Sequence, residues 1–207
     1  MSSFETIECN RLEIVRAYAF WECESLESID LPSARIVEEG AFEGCDVLRD
    51  VKFGMSLDSL KALVFKDCPS LERITIPLKI GLFGNGNVFA NCHNFKRVDL
   101  VEDAIIHKVV DALFMKEWRQ DMSNVIDSIN QILPNTPAGR SNNNVGGKIR
   151  VMKEWIQRVL RSIHHYKGQH RSLLNEAAAI LKLDLPSDIV HNNVLAFFEL
   201  PLHTFDG

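Results

Sequence analysis

One phrase recurs four times in the first half of this chain. Ala19-Phe20-x-x-Cys23-x-x-Leu26-x-x-Ile29-x-Leu31 is followed by Ala41-Phe42-x-x-Cys45-x-x-Leu48-x-x-Val51-x-Phe53, then by Val64-Phe65-x-x-Cys68-x-x-Leu71-x-x-Ile74-x-Ile76, and finally by Val88-Phe89-x-x-Cys92-x-x-Phe95-x-x-Val98-x-Leu100. Successive phenylalanines lie 22, 23 and 24 residues apart. A repeat of this length is one supersecondary unit that cannot bury its apolar face alone and must bury it against the next copy. The chain is therefore constrained to a stack of coils, a solenoid, in which equivalent residues form columns.

Within each copy the apolar residues fall in two short segments. Leu26-Glu-Ser-Ile29-Asp-Leu31 alternates, with Ile29 and Leu31 inward and Ser28 and Asp30 outward. Pro32 and Pro77 follow the strands of their copies, where a residue without an N–H ends the pairing. Residues 33–37 climb the opposite side and lead to Ala41-Phe42, which fill the coil from within. Period and pattern together lie in the range of leucine-rich repeats. The first copy is incomplete, since Phe4-x-x-Ile7-x-Cys9 matches Leu26-x-x-Ile29-x-Leu31 with no Ala-Phe-x-x-Cys ahead of it. Solenoid ends ordinarily carry an atypical capping coil. The expectation is that a partner covers this end or, preferably, that the chain is a piece of a longer protein. In the fourth copy the insertion Gly81-Leu-Phe-Gly84-Asn-Gly86-Asn predicts a turn with positive φ.

Cys23, Cys45, Cys68 and Cys92 share one repeat position and predict a column of small buried thiols. Zinc sites draw on close Cys-x-x-Cys pairs, which this chain lacks, so no metal is expected. Cys9 stands where Leu31 stands in its copy and is expected to point into the core.

The outward strand positions are Thr6 and Glu8, Ser28 and Asp30, Asp50 and Lys52, Arg73 and Thr75, Arg97 and Asp99. Stacked side by side they tile the concave face. That face drifts from acidic, at Glu8, Asp30 and Asp50, to basic, at Lys52, Arg73 and Arg97. Extended concave faces are where repeat proteins take hold of partners. The candidate partner-binding residues are accordingly Glu8, Asp30, Asp50, Lys52, Arg73, Thr75, Arg97 and Asp99.

After Leu100 the apolar period changes from 2 to 3.6. Ile105, Ile106, Val109, Val110, Leu113 and Phe114 share a helical face with Trp118 a turn on. Met122, Val125, Ile126, Ile129, Ile132 and Leu133 predict a second helix, stopped by Pro134 and Pro137. Residues 135–147 read as a flexible loop. A long helix follows with two stripes: Ile149, Met152, Trp155, Ile156, Val159, Leu160 and Ile163, then Leu173, Leu174, Ala177, Ala178 and Leu181. Gly168 between them is a candidate bend, and Pro186 a stop. Trp118 and Trp155 are expected to pack helix on helix, and residues 194–200 to form a short helix that docks back. The fold class is α+β: a short leucine-rich-repeat solenoid of four to five coils over residues 1–101, then an all-α helical module over 102–207.

No chemistry is legible in these segments. His164, His165 and His170 form the densest ligand-like group, but their spacing does not bring them to one helical face, and they read as solvated. Neither Gly81–Asn87 nor Val145-Gly-Gly-Lys-Ile149 carries the Gly-Lys-Ser/Thr of a phosphate loop, and no nucleophile elbow occurs. No catalytic residue and no cofactor is expected. A formal net charge of −5 argues against a nucleic-acid footprint. The absence of an 18-residue apolar run argues against membrane insertion.

The phrase Ala-Phe-x-x-Cys-x-x-Leu-x-x-Ile-x-Leu-Pro resembles the BspA-like leucine-rich-repeat family, over about residues 4 to 100. The helical half, through Arg97-Val-Asp-Leu-Val, Ile106-His-Lys, Trp118-Arg-x-x-Met122, Ile129-Asn-x-x-Leu-Pro-Asn135 and His165-Tyr-Lys-x-x-His170, is similar to the tail of a large group of such proteins in diatoms. The resemblance implies surface-mediated protein binding, and adhesion in other lineages. Its start as it stands does not read as a signal sequence, unlike that of secreted adhesins, and its coils are fewer than in longer members. The expected function is a non-catalytic scaffold that holds an unidentified protein by the concave face, the alternative being a fragment of a cell-surface adhesion protein. Self-association through the uncapped N-terminal coil is a further expectation. The expected location is the cytoplasm, or outside the cell if a signal lies upstream.

Overall fold

The computed structural model describes residues 6–84, 86–138, 147–181 and 186–190. Contacts divide them into two compact units. One holds the coils through Glu102 together with Asp127–Gln157; the other holds Asp103–Ile126 and the residues from Arg158 onward. The packing sets the segment Asp127–Gln157 with the coils.

In the first unit the alternating segments become strands β1 (Thr6–Glu8), β3 (Ser28–Leu31), β5 (Asp50–Phe53), β7 (Arg73–Ile76) and β8 (Arg97–Leu100), which form one parallel sheet in the order β1-β3-β5-β7-β8. The climbing segments give β2 (Ile14–Val15), β4 (Ile36–Val37) and β6 (Ser59–Leu60), a second parallel sheet of three. A bridge from Leu60 to Phe83 extends it through the glycine-bearing insertion, whose Gly81 takes φ 81°. Between strand and strand runs an arm: residues 17–22, 39–44, 62–67 and 86–91. The first three arms turn through left-handed backbone at two repeat positions, and the fourth at the second of them. Tyr18, Gly40 and Leu63 supply the first, and Glu22, Gly44, Asp67 and Asn91 the second.

Two ladders fill the interior. Phe20, Phe42, Phe65, Phe89 and Phe95 stack ring on ring at 5.0, 5.5, 5.6 and 4.5 Å between centroids, with planes within 19°. Face-offset rings at this separation gain beyond their buried area. Beside them the thiols of Cys45, Cys68 and Cys92 donate to the carbonyls of Phe20, Phe42 and Phe65 at 3.0, 3.0 and 2.7 Å. Those three cysteines are buried, whereas Cys23, in the end coil, is half-buried. Cys9 is also half-buried rather than enclosed. Gly54 stands where its neighbouring copy has Pro32. A Cβ there would lie 2.0 Å from the Pro32 carbonyl oxygen, so only glycine lets the coils approach.

Ion pairs follow the same spacing. Arg16–Glu38, Arg35–Asp58, Arg49–Glu72 and Lys66–Glu43 each join adjacent coils. These are mostly exposed and individually small.

The last coil is closed by the segment 127–157, from α2 (Lys116–Ile132), the 3-10 turn Leu133–Asn135 and the start of α3 (Lys148–Leu181). The Asn130 side chain accepts from the Val98 N–H at 2.9 Å and donates to the Val98 carbonyl at 3.2 Å, imitating a further strand on the β8 edge. Lys148, 2% exposed, donates to the Phe95 and Leu133 carbonyls and lies 5.7 Å above the Phe95 ring. Burial pulls its ammonium pKa down. Lys153 donates to Gly84 at 3.1 Å. Glu102 is buried as well and receives the Leu78 N–H on its carboxylate at 3.1 Å.

In the second unit α1 (Asp103–Asp111) buries Ile106, Val109 and Val110. The chain then breaks at 112–115 before α2, so the single apolar face expected from Ile105 to Trp118 is interrupted and Phe114 is left exposed. His170 is a correction to the solvated reading: it is 2% exposed, and its Nδ1 accepts the Phe114 N–H at 3.2 Å. Breaking the helix leaves that N–H without an intrahelical acceptor, and the imidazole supplies one. His164 and His165 are exposed. Trp118 meets the Tyr166 ring at 5.8 Å, and Trp155 is buried in the first unit. The Tyr166 hydroxyl donates to Asp121 at 2.8 Å. The α3 helix runs unbroken through Gly168. Near its end Ala178 and Val190 form a small cluster with Leu174 and Leu181. A short α4 (Ser187–Ile189) follows Pro186. Most of the expected loop 135–147 and the expected helix at 194–200 lie outside the described residues.

Candidate interaction face

Parallel register carries the outward strand positions into two rows. Thr6, Ser28, Asp50, Arg73 and Arg97 are successive Cα partners, and so are Glu8, Asp30, Lys52, Thr75 and Asp99. All eight candidate residues therefore share one face of the five-stranded sheet. The inward residues between them, Ile29, Val51, Ile74 and Val98, are buried.

The charges do not stand as a free gradient. The Arg73 guanidinium donates to Asp50 Oδ2 in the first row and lies 3.9 Å from Asp99 Oδ2 in the second. Arg97 Nε donates to Asp99 Oδ1 at 2.9 Å. Asp50, Arg73, Asp99 and Arg97 thus form a chain of alternating sign that offsets the basic end read from the sequence. The hydrogen bond with Asp50 holds the Arg73 pKa above its ordinary value despite partial burial. Asp50 Oδ1 is buried and meets no hydrogen-bond donor. Glu8, Asp30 and Lys52 make no ion pair recorded among the described residues, and Lys52 and Glu8 are exposed. The sequence reading missed these pairings because it followed the sign along the stack rather than the partner one coil away.

The geometry offers a surface held in parallel register. Among the described residues no three His, Cys, Asp or Glu side chains converge as for a metal, and no helix is long and apolar enough to cross a membrane. A cavity of about 220 Å³ lies among Lys79, Leu82, Phe83, Lys153 and Ile156. Its two lysines are engaged, Lys79 with Asp58 and Lys153 with the Gly84 carbonyl.

Residues 13–136 match the family model of the BspA type leucine-rich-repeat region, in six copies. The match covers three coils and most of the first, and runs on through α1 and α2, past the last strand at Leu100. No curated protein and no solved structure matches the chain. The family is one of interaction or adhesion-type repeats and is generally non-catalytic. The recurring Ala-Phe-x-x-Cys arm, the two parallel sheets and the family match agree: this chain belongs to the BspA-type leucine-rich-repeat family.

Proposed function

We propose that this chain is a non-catalytic binding module that holds a protein partner on the outward face of its five-stranded sheet. The observation that carries the reading is the register, which brings Glu8, Asp30, Lys52, Thr75 and Asp99 into one row beside the row of Asp50, Arg73 and Arg97. The ion-pair chain fixes the arginines in advance, so docking loses less side-chain entropy. Glu8, Asp30 and Lys52 supply the charges that steer and select the partner.

Asp30 and Lys52 face each other in register, which permits a clean test. The swap Asp30→Lys with Lys52→Glu keeps the net charge and the cross-strand pair but inverts the surface pattern. A partner identified by affinity capture and then purified is expected to lose at least tenfold in affinity for the swapped protein, mainly through slower association at low salt. Glu substitutions at Lys108 and Arg158, both exposed on helices, form the control. Equal loss from the control pair removes the sheet face as the site.

A further inference from the structure

We propose that the cavity between the glycine-bearing insertion of the last coil and the start of α3 is a binding site for a small monocarboxylate with an apolar body, about the size of a benzoate ion. The cavity arises where the repeat stops. In the three-stranded sheet coil follows coil, and Val15, Val37 and Leu60 are buried in column. The fourth climbing segment carries the insertion and joins that sheet by an isolated bridge from Leu60 to Phe83. Beyond it stands a helix in place of another coil. Lys153, Ile156 and Gln157, at positions i, i+3 and i+4, share the face of α3 that lines the cavity. Helical spacing cannot continue columns set by strands, and a space of about 220 Å³ remains within the first unit.

Walls and charges together define the ligand. Leu82, Phe83 and Ile156 are buried apolar walls, and Phe83 is held edge-on against Phe89 at 6.1 Å between centroids. Ile80, 55% exposed, and Gln157, also exposed, lie on the open side. Two ammonium groups complete the lining. Lys79 donates to Asp58 and Lys153 to the Gly84 carbonyl at 3.1 Å, and among the described residues no second hydrogen bond is recorded for either. An ammonium carries three donors, so each retains some for an acceptor in the cavity. Asp58 beside Lys79 repels a second negative charge, so a monoanion suits the site better than a dianion. Scaled from the cavity of about 150 Å³ that encloses benzene, the space takes roughly nine non-hydrogen atoms. A carboxylate accepts from the lysines while its ring or branched chain covers Leu82, Phe83 and Ile156. None of these residues lies in the outward rows of the five-stranded sheet, so the inference stands apart from the proposed function.

Benzoate, which matches that size, is the probe, titrated into the full ¹⁵N-labelled chain. Saturable shifts at millimolar benzoate are expected at residues 79–84 and 153–157. Benzamide, its neutral counterpart of equal size, and acetate, the head without the ring, should each bind about tenfold more weakly or worse. Lys153→Gln removes the charge but keeps a donor for the Gly84 carbonyl, and should lose a similar factor while leaving the rest of the spectrum in place. Equal binding of benzamide overturns the proposal on the wild-type chain alone, whether or not the variant folds. So does the absence of saturable shifts at those residues, or unchanged affinity in a folded Lys153→Gln chain. Equal binding of inorganic phosphate overturns it too, since the cavity is then a plain anion site that makes no use of its apolar walls.

Discussion

Cys45, Cys68 and Cys92 each send the thiol hydrogen to a phenylalanine carbonyl of the preceding coil. The column is thus a row of satisfied donors as well as a packing device. Burial pushes the Cys92 thiol up to about 12, and a contact with Cys45 together with burial raises that of Cys68 further. The thiolate is the reactive form, so Cys68 and Cys92 are inert in the native state, whereas the hydrogen bond with Cys68 pulls the Cys45 thiol down and its burial alone shields it. A thiol reagent should label Cys9 and Cys23 quickly and the three buried cysteines only on unfolding, which mass spectrometry of timed samples resolves by peptide. Rapid native labelling of Cys68 would contradict the burial assigned to the column. Gly168 poses a different question. It sits inside a 34-residue helix, and an added Cβ would meet nothing within 4 Å. Gly168→Ala should therefore stabilise by roughly 0.5–1 kcal/mol, the helix-interior cost of glycine, measured by thermal melting.

At the scale of elements, the last coil is finished by side chains rather than by another coil. Lys148 replaces two backbone donors at once, on Phe95 and Leu133. Lys148→Met keeps the stem but strands both carbonyls, and should cost about 1–3 kcal/mol in denaturant unfolding. Glu102 is harder to ionise than an exposed carboxyl. Burial raises its pKa above 4.5, although the Leu78 N–H and nearby Lys79 oppose the shift. The native state then holds the proton more tightly than the unfolded chain. The contribution is complete below pH 4.5 and is lost as pH rises through the folded value. Glu102→Gln should flatten that slope relative to the wild type in stability measurements from pH 4 to 7; an unchanged slope would place the pH dependence elsewhere. None of these closures was legible in advance. Asn130 reaches Val98 across 32 residues and Lys148 reaches Phe95 across 53, so no period records either contact. His170 and Phe114, 56 residues apart, were hidden for the same reason.

Across the whole molecule, legibility follows from how far a contact reaches along the chain. A coil touches its neighbours alone, so each interior contact lies one repeat away and the repeat length writes it into the sequence. Both sheets, the outward rows and the phenylalanine column could be read for that reason. The charge pairs, at separations such as 23 for Arg73 and Asp50, were written there too and are found by looking one repeat along rather than one residue along. This architecture makes each ring of the ladder depend on the rings on either side. Phe42 is fully buried and stacks on both Phe20 and Phe65, whereas Phe20, in the end coil, stacks on Phe42 and is only half-buried. Phe42→Ala leaves a cavity between two coils and should cost about 3–5 kcal/mol. Phe20→Ala opens onto solvent at the end, can relax there, and should cost roughly half as much. Equilibrium denaturation of the two variants against wild type measures both losses. A Phe42→Ala loss under about 1 kcal/mol, or one no larger than that of Phe20→Ala, would mean that the stack does not carry the stability of the coils in the way its geometry requires.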